Sequence, residues 1–183
     1  MEDGILKEYY TEKQYKELLS HLVILHDTRE QNNAHILKYF DDHNIRHKQR
    51  ALKTGDYTMM LEADPDFGIY RDMWFSDVLA IERKNSVEEL ASNIADSGGT
   101  ARFAREMSRF KDISNVYLVI ENDSLDNIME HGYRSQLNPD SFLRTMLTWQ
   151  KKSNFYLNFV KKENMGKFIF ELCKNCLDNT ILR

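Results

Sequence analysis

Val78-Leu79-Ala80-Ile81-Glu82-Arg83-Lys84 is a run of four apolar residues that turns abruptly into charge. A short apolar run of this kind reads as a buried strand. Side chains alternate along a strand, so Glu82 and Lys84 share one face, while Ile81 and Arg83 take the other. Burying a carboxylate or an ammonium without a partner is costly. The strand end is therefore expected to sit where charge has a use. Upstream, Gly55-Asp56 opens Tyr57 to Leu61, an earlier strand of the same region, which places Asp56 as a neighbour for Glu82. Two carboxylates brought together repel, and one tends to keep its proton. A divalent cation removes that conflict. Mg²⁺ suits such a pair because it binds through few carboxylates and keeps several waters.

Working toward the N-terminus, Arg46 to Lys53 is a polar, strand-like segment, and Gly55 suits a turn or bulge. Asn33 to Asp42 carries Ile36, Leu37 and Phe40 on one face, which predicts a helix. Leu22-Val23-Ile24-Leu25 is a second buried strand, ending in His26-Asp27-Thr28-Arg29-Glu30. Thr11 and Gln14 form a capping box for a helix reaching Leu22. Between the two sites of charge, Asp64-Pro65-Asp66 reads as a turn, and Phe67 to Met73 as a further strand.

Toward the C-terminus, Ser86 and Glu89 cap a helix with Val87, Leu90, Ala91 and Ile94 on one side. Ser97-Gly98-Gly99 breaks it, and a helix follows over about Ala101 to Phe110. Val116 to Ile120 is a buried strand. Asn138-Pro139 starts a helix bearing Phe142, Leu143, Met146 and Leu147. Phe155 to Val160 is a strand, and the last helix aligns Met165, Phe168, Ile169, Leu172, Cys173 and Cys176. Strands alternate with helices at both ends, and hairpins fill the middle. This predicts an α/β domain with a mixed central β-sheet and helices on both faces. Residues 1–21 are expected as an N-terminal helical extension and 22–183 as the main domain.

The 183 residues suffice for one well-buried domain. No apolar run approaches the ~20 residues that cross a bilayer. Acid stands near the start, where a signal peptide would carry base, so an intracellular protein is expected, not a membrane protein. Two cysteines make no disulfide framework. The net charge of −4 does not exclude nucleic acid, because carboxylates gathered at a metal site count against a basic surface elsewhere. Arg102, Arg105, Arg109 and Lys111 cluster in the middle, and Lys151-Lys152, Lys161-Lys162 and Lys167 near the end. Charge runs of this kind are more often solvated faces.

Three elements occur in order: Asp27-Thr28-Arg29-Glu30, Gly55-Asp56-Tyr57 and Glu82-Arg83-Lys84. Together they resemble the PD-(D/E)XK nuclease motif, and specifically the XPF-like branch of the restriction-endonuclease-like superfamily. That branch continues with an acid four residues on, then a glycine-arginine-aromatic segment, a helix ending in an aromatic, and an apolar strand. Glu88, Glu89 and Leu90, then Gly99, Arg102-Phe103, Arg109-Phe110 and Val116 to Glu121 stand at those places. The resemblance implies Mg²⁺ (or Mn²⁺) held by Asp56, Glu82 and the backbone carbonyl of Arg83. It implies Asp27 at the metal site as ligand or support, and Lys84 acting on the water or the developing charge. Arg29, Arg83, Arg102 and Glu88 would contact DNA or support the site.

The implied activity is DNA endonuclease cleavage at branched or flap-like DNA in repair, recombination or replication, by a homodimer. Two alternatives share the core: a catalytically silent nucleic-acid-binding scaffold, and an exonuclease or restriction-type enzyme. The sequence departs from the branch in three ways. The acid after Glu82-Arg83-Lys84 is a glutamate, with two candidates. The segment between Asp56 and Glu82 is long, predicting an extra β-excursion over Asp64 to Phe75. No tandem helix-hairpin-helix module follows, so duplex binding is expected from the domain's own surface, a dimer mate or a partner protein.

Other motifs have plainer readings. Cys173 and Cys176 form a C-x₂-C pair, but on the apolar stripe of a helix near its end, where core packing is expected in place of zinc or redox chemistry. His43 and His47 are read as loop or surface residues. Glu30 and Glu89 fit helix-capping acids. Trp149 is assigned to the core, and Trp74, near the excursion, is left between packing and stacking on a base.

Overall fold

A computed structural model describes residues 10–95 and 99–181. The chain divides into two compact units, Met1–Leu79 with Gly166–Arg183, and Ala80–Met165.

In the first unit, Thr11 caps helix α1 (Glu12–Ser20). Its Oγ1 accepts the Gln14 N–H, and the Gln14 side chain accepts the Thr11 N–H, so the capping box closes both ways. The helix stops short of Leu22 because Leu22 opens β1 (Leu22–His26), which is buried on both faces. Helix α2 (Ala34–Asp42) buries Ile36 and Phe40. Strand β2 (His47–Gln49) pairs parallel with β1, with Leu25 beside Lys48. Strand β3 (Tyr57–Leu61) pairs antiparallel with β1, from His26↔Tyr57 to Leu22↔Leu61. Gly55 enters β3 with φ 76°, a conformation that costs glycine little.

The expected strand from Phe67 to Met73 does not form as such. Asp64 Oδ1 accepts the N–H groups of Asp66 and Phe67, and Asp64 forms an isolated bridge with Ile69. These bonds curl the segment into a tight loop, on which Phe67 stacks against His21. Only Met73–Trp74 (β4) pairs with β3, with Trp74 beside Met60. The last helix, α7 (Met165–Ile181), joins this unit from Gly166 onward. Its Ile169, Cys173, Cys176 and Leu177 are buried, both cysteines are free thiols, and Tyr15 of α1 donates to Asp178. Most of the apolar stripe predicted for this helix is buried within the unit.

In the second unit, β5 (Leu79–Lys84, from Ala80 on) neighbours β6 (Asn115–Glu121), and β6 pairs parallel with β7 (Phe155–Val160). The helices are α3 (Val87–Ala95), α4 (Gly99–Ser108), α5 (Leu125–Met129) and α6 (Pro139–Ser153). Asn138 caps α6 by accepting the Ser141 N–H, with proline at the first turn as expected. One core gathers Ala80, Leu90, Phe103, Leu118, Phe142 and Phe155 from strands and helices alike. Each large side chain so buried contributes roughly 1.5–3 kcal/mol. Trp149 lies at the rim of this core, edge-on to Phe103. Helix α5 had no counterpart in the sequence reading. The overall class, mixed-sheet α/β, is the expected one.

Candidate active site

Strand β5 carries its three charges in alternation. Lys84 Nζ donates to Glu82 Oε1 at 2.7 Å, so these two side chains share a face. Arg83 points the other way, where its Nε donates to Glu121 Oε2 of β6 at 2.8 Å and its Nη2 to Asn85. The Arg83 side chain is almost wholly buried in this pair. Such an embedded guanidinium fixes the strand and is not presented to a phosphate.

Lys84 has a second carboxylate partner. Glu106, in the last turn of α4, accepts from Lys84 Nζ at 2.9 Å. Burial works to lower the Lys84 pKa, but the charges and hydrogen bonds of Glu82 and Glu106 outweigh it and push the group above the ordinary lysine range. Lys84 is therefore an ammonium at any physiological pH. Burial works to raise the Glu106 pKa, yet its hydrogen bond with Glu82 and the charges of Lys84 and Arg109 hold it below the usual carboxylate range. Glu106 was not singled out by its sequence position. Its only sequence signal is a lone acid among the basic residues Arg102, Arg105 and Arg109.

Glu82, Lys84 and Glu106 form one hydrogen-bonded cluster in which Glu82 and Lys84 are both buried. Its carboxyl oxygens are donors of the kind a hard divalent cation prefers. Among the described residues no group of three or more His, Cys, Asp and Glu side chains is assembled to hold a metal ion.

In the first unit, the ends of β1 and β3 bring Asp27 and Asp56 together through the backbone: the Asp27 N–H donates to the Asp56 carbonyl at 2.8 Å. Asp56 itself is partly exposed. The Asp27 carboxylate is fully engaged. Oδ1 accepts Arg29 N–H at 2.8 Å and Arg29 Nε at 2.6 Å. Oδ2 accepts Leu52 N–H at 2.6 Å and Arg29 Nη2 at 3.2 Å. Burial alone would raise the Asp27 pKa, but these donors hold it below its ordinary value. Arg29 also donates to the Leu52 carbonyl. Asp27 and Arg29 thus clamp the loop that leads to Asp56.

Glu88 and Glu89 part company. Glu88 accepts the Arg134 N–H and the Ser92 hydroxyl, which ties α3 to the loop before α6. Those bonds, the Arg134 N–H first among them, hold its pKa below the usual range. Glu89 turns back to the Asn85 N–H and Nδ2, as a capping acid does. Ser97, Gly98 and the Arg102 side chain lie outside the described residues.

The ERCC4 domain family matches residues 26–172. This chain belongs to the ERCC4 domain family, the XPF-like nucleases. Among solved structures, XPF from Aeropyrum pernix is similar, with TM-score 0.57 and 19% identity, covering 84% of this chain and 60% of that one. XPF from Aeropyrum pernix in complex with DNA is similar too, with TM-score 0.57 and 18% identity over 86% of this chain and 66% of that one. No curated protein matches the chain. The ERCC4 domain here therefore has the XPF nuclease fold, and it spans less than two thirds of the archaeal chains that it resembles. Among its described residues, no helix is long and apolar enough to cross a membrane.

Proposed function

We propose that this ERCC4 domain is a divalent-metal-dependent DNA endonuclease that cuts phosphodiester bonds at branched or flap-like DNA. The observation that carries the reading is the buried Glu82–Lys84–Glu106 cluster at the end of β5. It sits on the strand end that bears the family's Glu-Arg-Lys signature.

Asp56 and Glu82 are the proposed carboxylate ligands, with the Arg83 carbonyl beside Glu82. When bound, Mg²⁺ or Mn²⁺ would supply neutralising charge at the phosphate and acidify a water. Lys84 donates hydrogen bonds and positive charge to the phosphoryl oxygens as negative charge builds there. Glu106 positions the Lys84 ammonium. Asp27 and Arg29 hold the loop that leads to Asp56. The Arg83–Glu121 pair keeps β5 in register with β6. The homodimer implied by the resemblance belongs to the same proposal and would show as a doubled mass in solution.

The test uses labelled flap, fork, single-strand and plain duplex DNA, each with and without Mg²⁺ or Mn²⁺, beside Asp56→Ala. Cutting of the branched substrates that needs metal and vanishes in the variant is the expected result. Binding without cutting under every metal would instead assign the domain to the silent scaffolds. Release of single nucleotides from ends would make it an exonuclease.

A further inference from the structure

Strand register in the first unit sorts its side chains onto two faces. Val23 and Leu25 of β1 and Met60 of β3 cluster on one face, with Leu52 packed on them. Leu25 is the partner of Lys48, and Met60 is the partner of Trp74. Lys48 and Trp74 therefore belong to this same face. Arg46 and Arg50 stand two residues to either side of Lys48, so they too fall on it. The contacts agree. Arg46 and Lys48 both reach Glu62, and the Arg50 guanidinium lies 4.1 Å from the centre of the Trp74 ring.

The face is thus an edge stripe of three cations at alternate positions, offset by one carboxylate, and it ends on an aromatic ring. Trp74 remains 43% exposed, so part of its ring is open to a partner. The Arg50 end of the stripe is also the Asp56 end of the sheet. Arg50 N–H donates to the His26 carbonyl, and the next residue, Asp27, donates to the Asp56 carbonyl. Arg50 and Asp56 thus flank the end of β1 from opposite sides, about two strand spacings or ~10 Å apart.

We propose that this face binds single-stranded DNA, with phosphates along Arg46, Lys48 and Arg50 and an unpaired base stacked on Trp74. Charge complementarity supplies the cationic track, and a stacking platform beside such a track is the recurring design for unpaired strands. A paired base has no free face for the ring, so the surface selects a strand that is already open. The inference rests on the nuclease reading for its biological sense and names that substrate's single-stranded arm as the part held here.

The chain has two tryptophans, Trp74 and Trp149. Trp149→Phe in the full chain leaves Trp74 as the sole reporter, and circular dichroism verifies the fold. Titration with oligothymidylate in EDTA is expected to quench the Trp74 emission saturably, with blunt duplex far weaker. By anisotropy of a labelled oligomer, Trp74→Ala is expected to weaken binding about tenfold and Trp74→Phe to restore most of it. Arg50→Ala is expected to flatten the slope of log affinity against log salt by about 0.7. Unchanged emission at saturation, equal binding and quenching by duplex, or wild-type affinity and slope in both alanine variants would overturn the proposal. The readout is binding without metal. A protein that binds here and never cuts refutes the nuclease reading alone; one that cuts while these variants bind normally refutes this surface alone.

Discussion

At the scale of single residues, Asp27 and Glu106 divide the work of holding other groups in place. Asp27 accepts four hydrogen bonds from Arg29 and the Leu52 N–H. Hydrogen bonds to a charged group are worth about 1.5–3 kcal/mol. Asp27→Asn is expected to cost roughly 2 kcal/mol in a denaturant midpoint at neutral pH. The folded pKa of Asp27 lies below its unfolded value, so its contribution is complete above the unfolded pKa, about 4. It disappears as pH falls through the lower, folded pKa. The gap between wild type and Asp27→Asn should therefore close on acidification, and a gap constant from pH 7 to pH 2 would exclude the clamp.

Glu106 acts through Lys84. Glu106→Gln keeps a hydrogen-bond acceptor but removes one of the two carboxylates beside Lys84. A loss of about tenfold in single-turnover cutting is expected at neutral pH, with DNA affinity and melting temperature little changed, typical of a supporting partner. An unchanged rate would leave Glu106 a merely structural residue.

At the scale of elements, close approach decides what the packing tolerates. A Cβ at Gly166 would lie 2.6 Å from the Tyr39 Cβ, so the start of α7 rests directly on α2. Gly166→Ala should gain helix propensity of about 1 kcal/mol but lose more to overpacking, typically 1–3 kcal/mol. A net fall in the melting temperature is expected; a rise would mean that the two helices separate freely. Elements with a strong local signal were legible in the sequence. β1, β5 and β6 showed as apolar runs, and Thr11 and Asn138 showed as caps. The loop after Asp64 was not, because its conformation follows from side-chain bonds of Asp64 that compete with strand pairing. Helix α5, five residues long, is too short to display a helical period.

At the scale of the whole molecule, the family signature was legible as an order of motifs, and the family match over residues 26–172 bears out the resemblance. What spacing along the chain did not disclose was the company each charged group keeps. Glu106 lies 22 residues from Lys84, and Arg50 lies 24 from Trp74. Both meetings depend on which helix or strand packs against which, and neither leaves a periodic trace. By the resemblance Arg83 would contact DNA or support the site, and its side chain is buried with Glu121. In the proposed reaction Glu82 serves the chemistry of cleavage more than the grip on DNA. The decisive measurement is single-turnover cutting of a flap substrate by Glu82→Gln, with DNA affinity measured on the same preparation. Cutting is expected to drop at least a hundredfold while affinity changes by no more than a few fold. A variant that cuts at the wild-type rate, with affinity intact, would contradict it.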